Sequence, residues 1–441
     1  MQSFQKSRAY CPWLAVVLLL CLAIAPALAI HPDGELLSLE VALGLALAAN
    51  PGLAEVKARA EAMAAIPSQA GSPPDPTVSF NAMYLPTNSF SLHQEDMTML
   101  EIGVHQTVPF PGKLAAAERA SEYEAAAAAQ TVAEARLRLA RDVKLHWWEL
   151  YYLERTLALL ADTEGLLRQL VATALARYRS GGGTPPASGG TQQEVLEAQL
   201  ALSKLGEERL IHTGMHHREA ARLNALLDRP GTTMVHLPPT DTQALPEVGT
   251  TVALTQAATT ARPLLQGKQH AINAAESRVA LAEKGYYPDV SLDAGYAFRE
   301  RDPNNLPRSD FLRLGVSLSL PIHAGAKQAK AVDQRRSELM KERYALADAQ
   351  RQVQADIAQE IADYQRAKAH HALLTREVIP LAQQVVATLQ ANHAVGKAAL
   401  TEVLRALAGL RGSETQAWRA YTEAHQALAR LTAAQAKEEI P

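Results

Sequence analysis

The 441-residue sequence carries 43 basic and 46 acidic residues, a formal charge of −3, with 5% aromatic and 20% charged residues. That balance excludes the basic profile of a nucleic-acid-binding protein. Length alone would fit two or three ordinary domains, but the alanine-rich, aromatic-poor composition points to long, closely packed helices.

Residues 1–29 read as a secretory signal. Lys6 and Arg8 precede the apolar run Trp13 to Ala25, and Ala27-Leu28-Ala29 offers a small-residue cleavage site. The run is short for a membrane span of about 20 residues. Both cysteines, Cys11 and Cys21, lie in this segment, so the exported chain is expected to contain neither thiol nor disulfide. Removing two of the 43 basic residues leaves 41 against 46 acidic ones, a net charge of −5.

From Leu39 to Ala65 the pattern is helical, interrupted near Asn50-Pro51. Two strands follow, 76–85 and 98–108. In the first, Val78, Phe80, Ala82 and Tyr84 share one face. In the second, Leu100, Ile102 and Val104 alternate with Glu101, Gly103 and His105. The turn Val108-Pro109-Phe110-Pro111-Gly112-Lys113 leads into a proline-free stretch predicted as one long helix, 113–178. A glycine-rich tip containing Gly181, Gly182 and Gly183 precedes a return helix, 191–227. A proline-rich connection then spans 228–250.

The plan repeats with an offset of 212 residues. Pro51, Pro76 and Pro109 recur as Pro263, Pro288 and Pro321, and Ile102–Pro109 matches Leu314–Pro321. The sequence is therefore two repeats, 30–245 and 250–436. The second has a helix from Val252 to Glu283, strands 289–298 and 311–320, a long helix 327–393, a short tip at Gly396 and a return helix 400–435. Gly165 and Pro380 are the weak points of the long helices, so bends at one height are expected in both. The last helix carries a heptad seam: Leu400, Val403, Leu407, Leu410, Glu414, Ala417, Tyr421, Ala424, Leu428 and Leu431.

Each strand is about 10 residues, enough to cross a bilayer at a tilt. One face is apolar. The other is small or polar and includes Glu101, His105, Asp293 and Arg313, the lipid-out and water-in pattern of an outer-membrane barrel. A soluble sheet with one wet face shows the same alternation. Four strands cannot close a barrel, and open edges are not tolerated in lipid. Strands in the membrane would have to be shared, eight from two chains or twelve from three.

Signal segment, duplicated strand–strand–long helix–return helix, and proline-marked turns together resemble the TolC-like outer-membrane efflux proteins over nearly the whole exported chain. The form Val108-Pro-Phe-Pro-Gly-Lys113 is similar to the heavy-metal branch of that family, and Gly181…Glu194-Val-Leu-Glu197 and Gly396-Lys397…Glu402-Val-Leu resemble its hairpin tips. The resemblance implies a mainly α fold with a β-barrel part. A homotrimer would share a 12-strand barrel in outer-membrane lipid above a periplasmic α-helical tunnel. It also implies a periplasmic adaptor and a proton-driven inner-membrane pump as partners, and a periplasmic gate at Glu402 and Arg405. Relatives carry acidic residues at the gate, so Arg405 departs from the pattern.

No phosphate-binding loop, GxSxG motif or cofactor signature is present, and no metal site is assigned. His212 and His216 form an i, i+4 pair without the acidic partner of a metalloprotease helix. The sequence is read as a passive export duct that is not an enzyme. A soluble periplasmic coiled-coil adaptor is the alternative, although it leaves the four alternating strands unexplained.

Overall fold

The computed structural model describes residues 36–180, 191–239 and 244–437. The signal segment and the tip glycines Gly181, Gly182 and Gly183 lie outside these residues. Helix α1 (Leu39–Ala49) starts where the Ser38 hydroxyl accepts from the Val41 N–H at 3.2 Å. Asn50 ends it and begins α2 (Pro51–Ala64), accepting from the Leu53 N–H at 2.9 Å ahead of a proline at the first helical position. A short α3 (Ile66–Gly71) leads to β1 (Thr77–Met83) and β2 (Met99–Val108). Helix α4 (Lys113–Ser180) has 68 residues, about 100 Å at 1.5 Å per residue. Its return partner α5 (Gln192–Leu226) opens on a capping box formed by Thr191 and Glu194.

The second repeat follows the same order. It comprises α6 (Thr251–Ala261), α7 (Pro263–Lys284), β3 (Val290–Phe298), β4 (Phe311–Leu318), α8 (Gln328–Leu373), α9 (Ile379–Ala394) and α10 (Leu400–Ala434). The expected single helix 327–393 is in fact interrupted: a π-turn at Leu374–Val378 separates α8 from α9. Pro380 explains it, because a proline lacks the N–H that would bond one turn back and its ring crowds that carbonyl. Helix α4 runs unbroken through Gly165, so the interruption of the second long helix has no counterpart in the first. A glycine weakens a helix but keeps its donor, so it does not force a break. Strand β1 stops short of residue 85 because Tyr84 turns to φ 53°.

The four strands form one antiparallel sheet in the order β1-β2-β3-β4. The pairing of β2 with β3, with Gly103 opposite Gly295, joins the two repeats. Both outer edges, β1 and β4, are unpaired in the single chain. The apolar face is open along its whole width: Phe80 is 79% exposed, Leu314 74%, Val316 70% and Ile102 41%. No described helix is by itself long and apolar enough to cross a membrane, a criterion that does not bear on strands.

Helix α4 packs against both α2 and α7, and α7 packs against α8. Midway down, Trp147, Trp148, Tyr151, Tyr421 and Leu223 of α5 contribute to the main core. The α10 seam buries Leu400, Val403, Leu407, Ala417, Tyr421, Ala424, Leu428 and Leu431, with Leu410 and Glu414 half-buried. Asn50 stitches the end of α5 to the start of α2 by donating to the Leu226 carbonyl at 3.0 Å. At the equivalent place in the second repeat stands Arg262, 3.5 Å from Glu134, with Nε and Nη1 buried and, among the described residues, without a hydrogen-bond partner.

Candidate functional site

The polar side of the sheet is built from residues that the strand register brings together. Glu101 on β2 reaches across β3 to Arg313 on β4, 2.5 Å away. It can lie flat because the position beneath it is Gly295, where a Cβ would meet Glu101 Oε1 at 2.9 Å. The carboxylate is covered, its side chain 3% exposed, while the guanidinium stands 54% exposed. Further along the same face, His105 Nδ1 meets Asp293 Oδ1 at 2.8 Å, and the Thr107 hydroxyl lies 3.3 Å from both His105 Nε2 and Ser291 Oγ. Glu101, His105, Asp293 and Arg313 thus lie on one face of the sheet, as one carboxylate–guanidinium ion pair and one histidine–aspartate contact.

Glu101 and Arg313 are equivalent positions of the two repeats, 212 residues apart. So are Asp96 and Arg308, which pair at 2.5 Å in the loops beyond the strands. The duplicated halves carry opposite charge at the same place, and the pairs neutralise one another.

At the other end of the sheet the turn expected at Pro109, Pro111 and Gly112 docks onto the second repeat. The Phe110 N–H and Lys113 Nζ both donate to Asp289 Oδ1 at 2.7 Å, Lys113 also reaches the Tyr287 carbonyl at 3.1 Å, and the Phe110 ring stacks on Tyr287 at 4.4 Å. Partial burial works to raise the Asp289 pKa, but the Lys113 and Phe110 hydrogen bonds outweigh it and hold the carboxyl below its usual range. Gly112 is required here: its φ is 84°, and a Cβ would meet Lys284 Nζ at 2.9 Å. The turn at Pro321 lies beside the same knot, since Ser319 exchanges hydrogen bonds with Asp289. Sequence reading marked the prolines and missed Asp289, the acceptor that makes the turn a clasp.

At the far end of the helices, Gly396 closes α9 with φ 76°, the left-handed residue that commonly follows a helix end. Arg177, in the last turn of α4, donates to His393 Nε2 at 3.2 Å and to the carbonyls of His393 and Ala394 at 3.4 Å. Glu402 and Arg405 are exposed, one turn apart at the start of α10, and among the described residues neither side chain meets a partner.

The helix histidines have separate surroundings. Burial holds the His212 pKa below its ordinary value, His216 lies 3.6 Å from Glu154, and His146 bonds Glu219. Among the described residues no three His, Cys, Asp or Glu side chains converge as metal ligands would.

A family model described as outer membrane efflux protein matches residues 42–213 and 254–436. No curated protein matches the chain. Among solved structures, the outer membrane protein VceC from Vibrio cholerae superposes with a TM-score of 0.75 at 20% identity, over 90% of this chain and 96% of that one. CusC, whose structures concern folding and transmembrane channel formation, gives 0.72 at 15% identity over 90% and 91%. The open state of the MtrE outer membrane channel from Neisseria gonorrhoeae gives 0.71 at 16% identity over 91% and 89%. With a family match spanning both repeats and most of the chain, the protein belongs to the outer membrane efflux protein family.

Proposed function

We propose that the chain is the outer-membrane exit duct of a tripartite efflux system, and that three copies build it. A periplasmic adaptor and an inner-membrane pump would supply cargo and energy. The observation that carries this reading is the sheet: an apolar face on strands of 7–10 residues fully open on one side, the Glu101–Arg313 ion pair and the His105–Asp293 contact on the other, and two unpaired edges. Open edges in lipid would leave backbone N–H and C=O groups without partners, so neighbouring copies must supply them. As a duct, the protein works by shape and charge alone. The paired charges of the sheet leave the lumen wetted and close to neutral at the level of Glu101 and Arg313.

Cargo identity does not follow from the turn that suggested heavy metals. Lys113 and Phe110 serve to clasp Asp289, which is a structural task for that motif. The duct reading is tested by planar-bilayer recording of the detergent-purified protein. Discrete channel conductance is expected, and Leu314→Arg on the open face should abolish insertion, since a mid-bilayer arginine costs about 2–4 kcal/mol. A water-soluble protein without conductance, or an unaffected Leu314→Arg variant, would contradict it.

A further inference from the structure

The end of the last helix borders a charged chamber. Helices α4, α7, α8 and α10 meet around a cavity of about 230 Å³ lined by four guanidiniums and three carboxylates. Three of the arginines have a carboxylate beside them. Arg138 Nε donates to Glu134 at 3.1 Å, Arg141 Nε donates to Asp142 at 2.8 Å, and Arg430 lies 3.6 Å from Glu360. Arg262 is the exception. Its Nη2 lies 3.5 Å from the Glu134 oxygen that Arg138 already uses, and its buried Nε and Nη1 meet no acceptor among the described residues. A guanidinium has five N–H donors and does not shed its charge, so leaving it covered without acceptors costs free energy.

The repeat points to where an acceptor comes from. Asn50 and Arg262 hold nearly the same backbone ahead of a proline, with φ −61° and −69°. Asn50 caps α2 with its oxygen and donates to the Leu226 carbonyl at the end of α5. Arg262 has no oxygen with which to cap α7, and it offers donors only. The return helices also end alike: Leu226 closes α5, and Ala434, which lines the chamber, closes α10. Two residues beyond each end φ turns positive, 55° at Asp228 and 60° at Ala436. The next N–H then returns to the helix, Arg229 to Asn224 at 2.9 Å and Lys437 to Thr432 at 3.0 Å. After α5 the chain folds back along its own helix, where Asn224 donates to the Thr233 carbonyl at 2.8 Å. After Lys437 come Glu438 and Glu439, the first only four residues past Ala434, at most about 14 Å along the chain.

We propose that the chamber is the docking site of this chain's own acidic segment, Glu438-Glu439, whose carboxylates take the free donors of Arg262 and fasten the end of α10 to α4 and α7. Charge-assisted hydrogen bonds of this kind are about twice as strong as neutral ones. The docking is independent of the duct reading above.

The test places a spin label at Ile440→Cys in a chain carrying Cys11→Ser and Cys21→Ser, and reads label mobility by EPR in the assembled protein. The label should be immobile in this parent. Arg262→Gln, or Glu438→Gln with Glu439→Gln, should raise the mobile-to-immobile ratio roughly tenfold, the scale of one charge-assisted hydrogen bond. Combining the two should add little, because they remove the same contact. The glutamate changes touch no helix, so they decide the matter if Arg262→Gln fails to assemble. A label already mobile in the parent, or still immobile in the glutamate variant, would overturn the docking. So would inorganic phosphate that raises the melting temperature of parent and glutamate variant alike at fixed ionic strength, which would make the chamber a site for a free oxyanion instead.

Discussion

Two single positions show how the sequence is constrained. Gly295 has no side chain because Glu101 occupies that space on its way to Arg313. Gly295→Val should push the carboxylate off its partner and leave it covered and unpaired. A loss of about 1–3 kcal/mol is expected from overpacking alone, read as a lower temperature for SDS dissociation of the assembled protein, with Gly315→Ala as a milder control. His425 is the second case. It stacks on Trp148 at 3.8 Å, and burial, followed by the neighbouring His371, lowers its pKa to about 4. The folded state thus refuses a proton that the unfolded chain accepts near its ordinary value of 6.5. Stability from this site is complete above that value and lost as pH falls from there toward about 4, reaching on the order of 3 kcal/mol. Thermal melts of wild type should decline across that window, and His425→Phe, which keeps the stack, should flatten the decline. An equal decline in both proteins would show that the ring does not carry it.

At the scale of elements, the junction between strands and helices is a clasp between repeats. Removing the carboxylate in Asp289→Ala deprives the Lys113 ammonium and the Phe110 N–H of their acceptor together. Hydrogen bonds to charged groups are worth about 1.5–3 kcal/mol, and partial exposure of the pair reduces that to about 1–2 kcal/mol. A double-mutant cycle with Lys113→Ala should return a coupling of this size in chemical denaturation. Additive losses would mean that the pair contributes nothing jointly. The order of elements and the strand faces were legible beforehand because prolines and two-fold alternation are local signals, readable without knowing what lies opposite. The pairings were not legible, since Lys113 and Asp289 meet only through tertiary packing. One hidden signal did exist: equivalent positions of opposite charge, Glu101 with Arg313 and Asp96 with Arg308, foretold contacts across the repeat. The break at Leu374–Val378 was read as a bend at Pro380, and its supposed twin at Gly165 does not interrupt α4, because lost donors break helices where lost side chains only soften them.

For the whole molecule, the internal repeat states how one copy meets the next. Within the chain, Val108 on β2 faces Val290 on β3 and Gln106 faces Leu292. Applying the 212-residue offset, β4 should face β1 of a neighbouring copy in the same register, which sets Leu318 opposite that copy's Phe80. Such pairing between unlike edges is head-to-tail and closes into a ring only at a fixed number of copies. Twelve strands from three copies would then enclose the paired charges of the sheet, with the open apolar face turned to lipid. The most direct test is a Phe80→Cys, Leu318→Cys double variant, made in a chain whose only native cysteines lie at positions 11 and 21. Oxidation in the membrane followed by denaturing electrophoresis should yield a covalent product that stops at three chains, while either single variant yields none. A double variant that remains monomeric, or a ladder extending past three, would contradict the shared barrel on which this account depends.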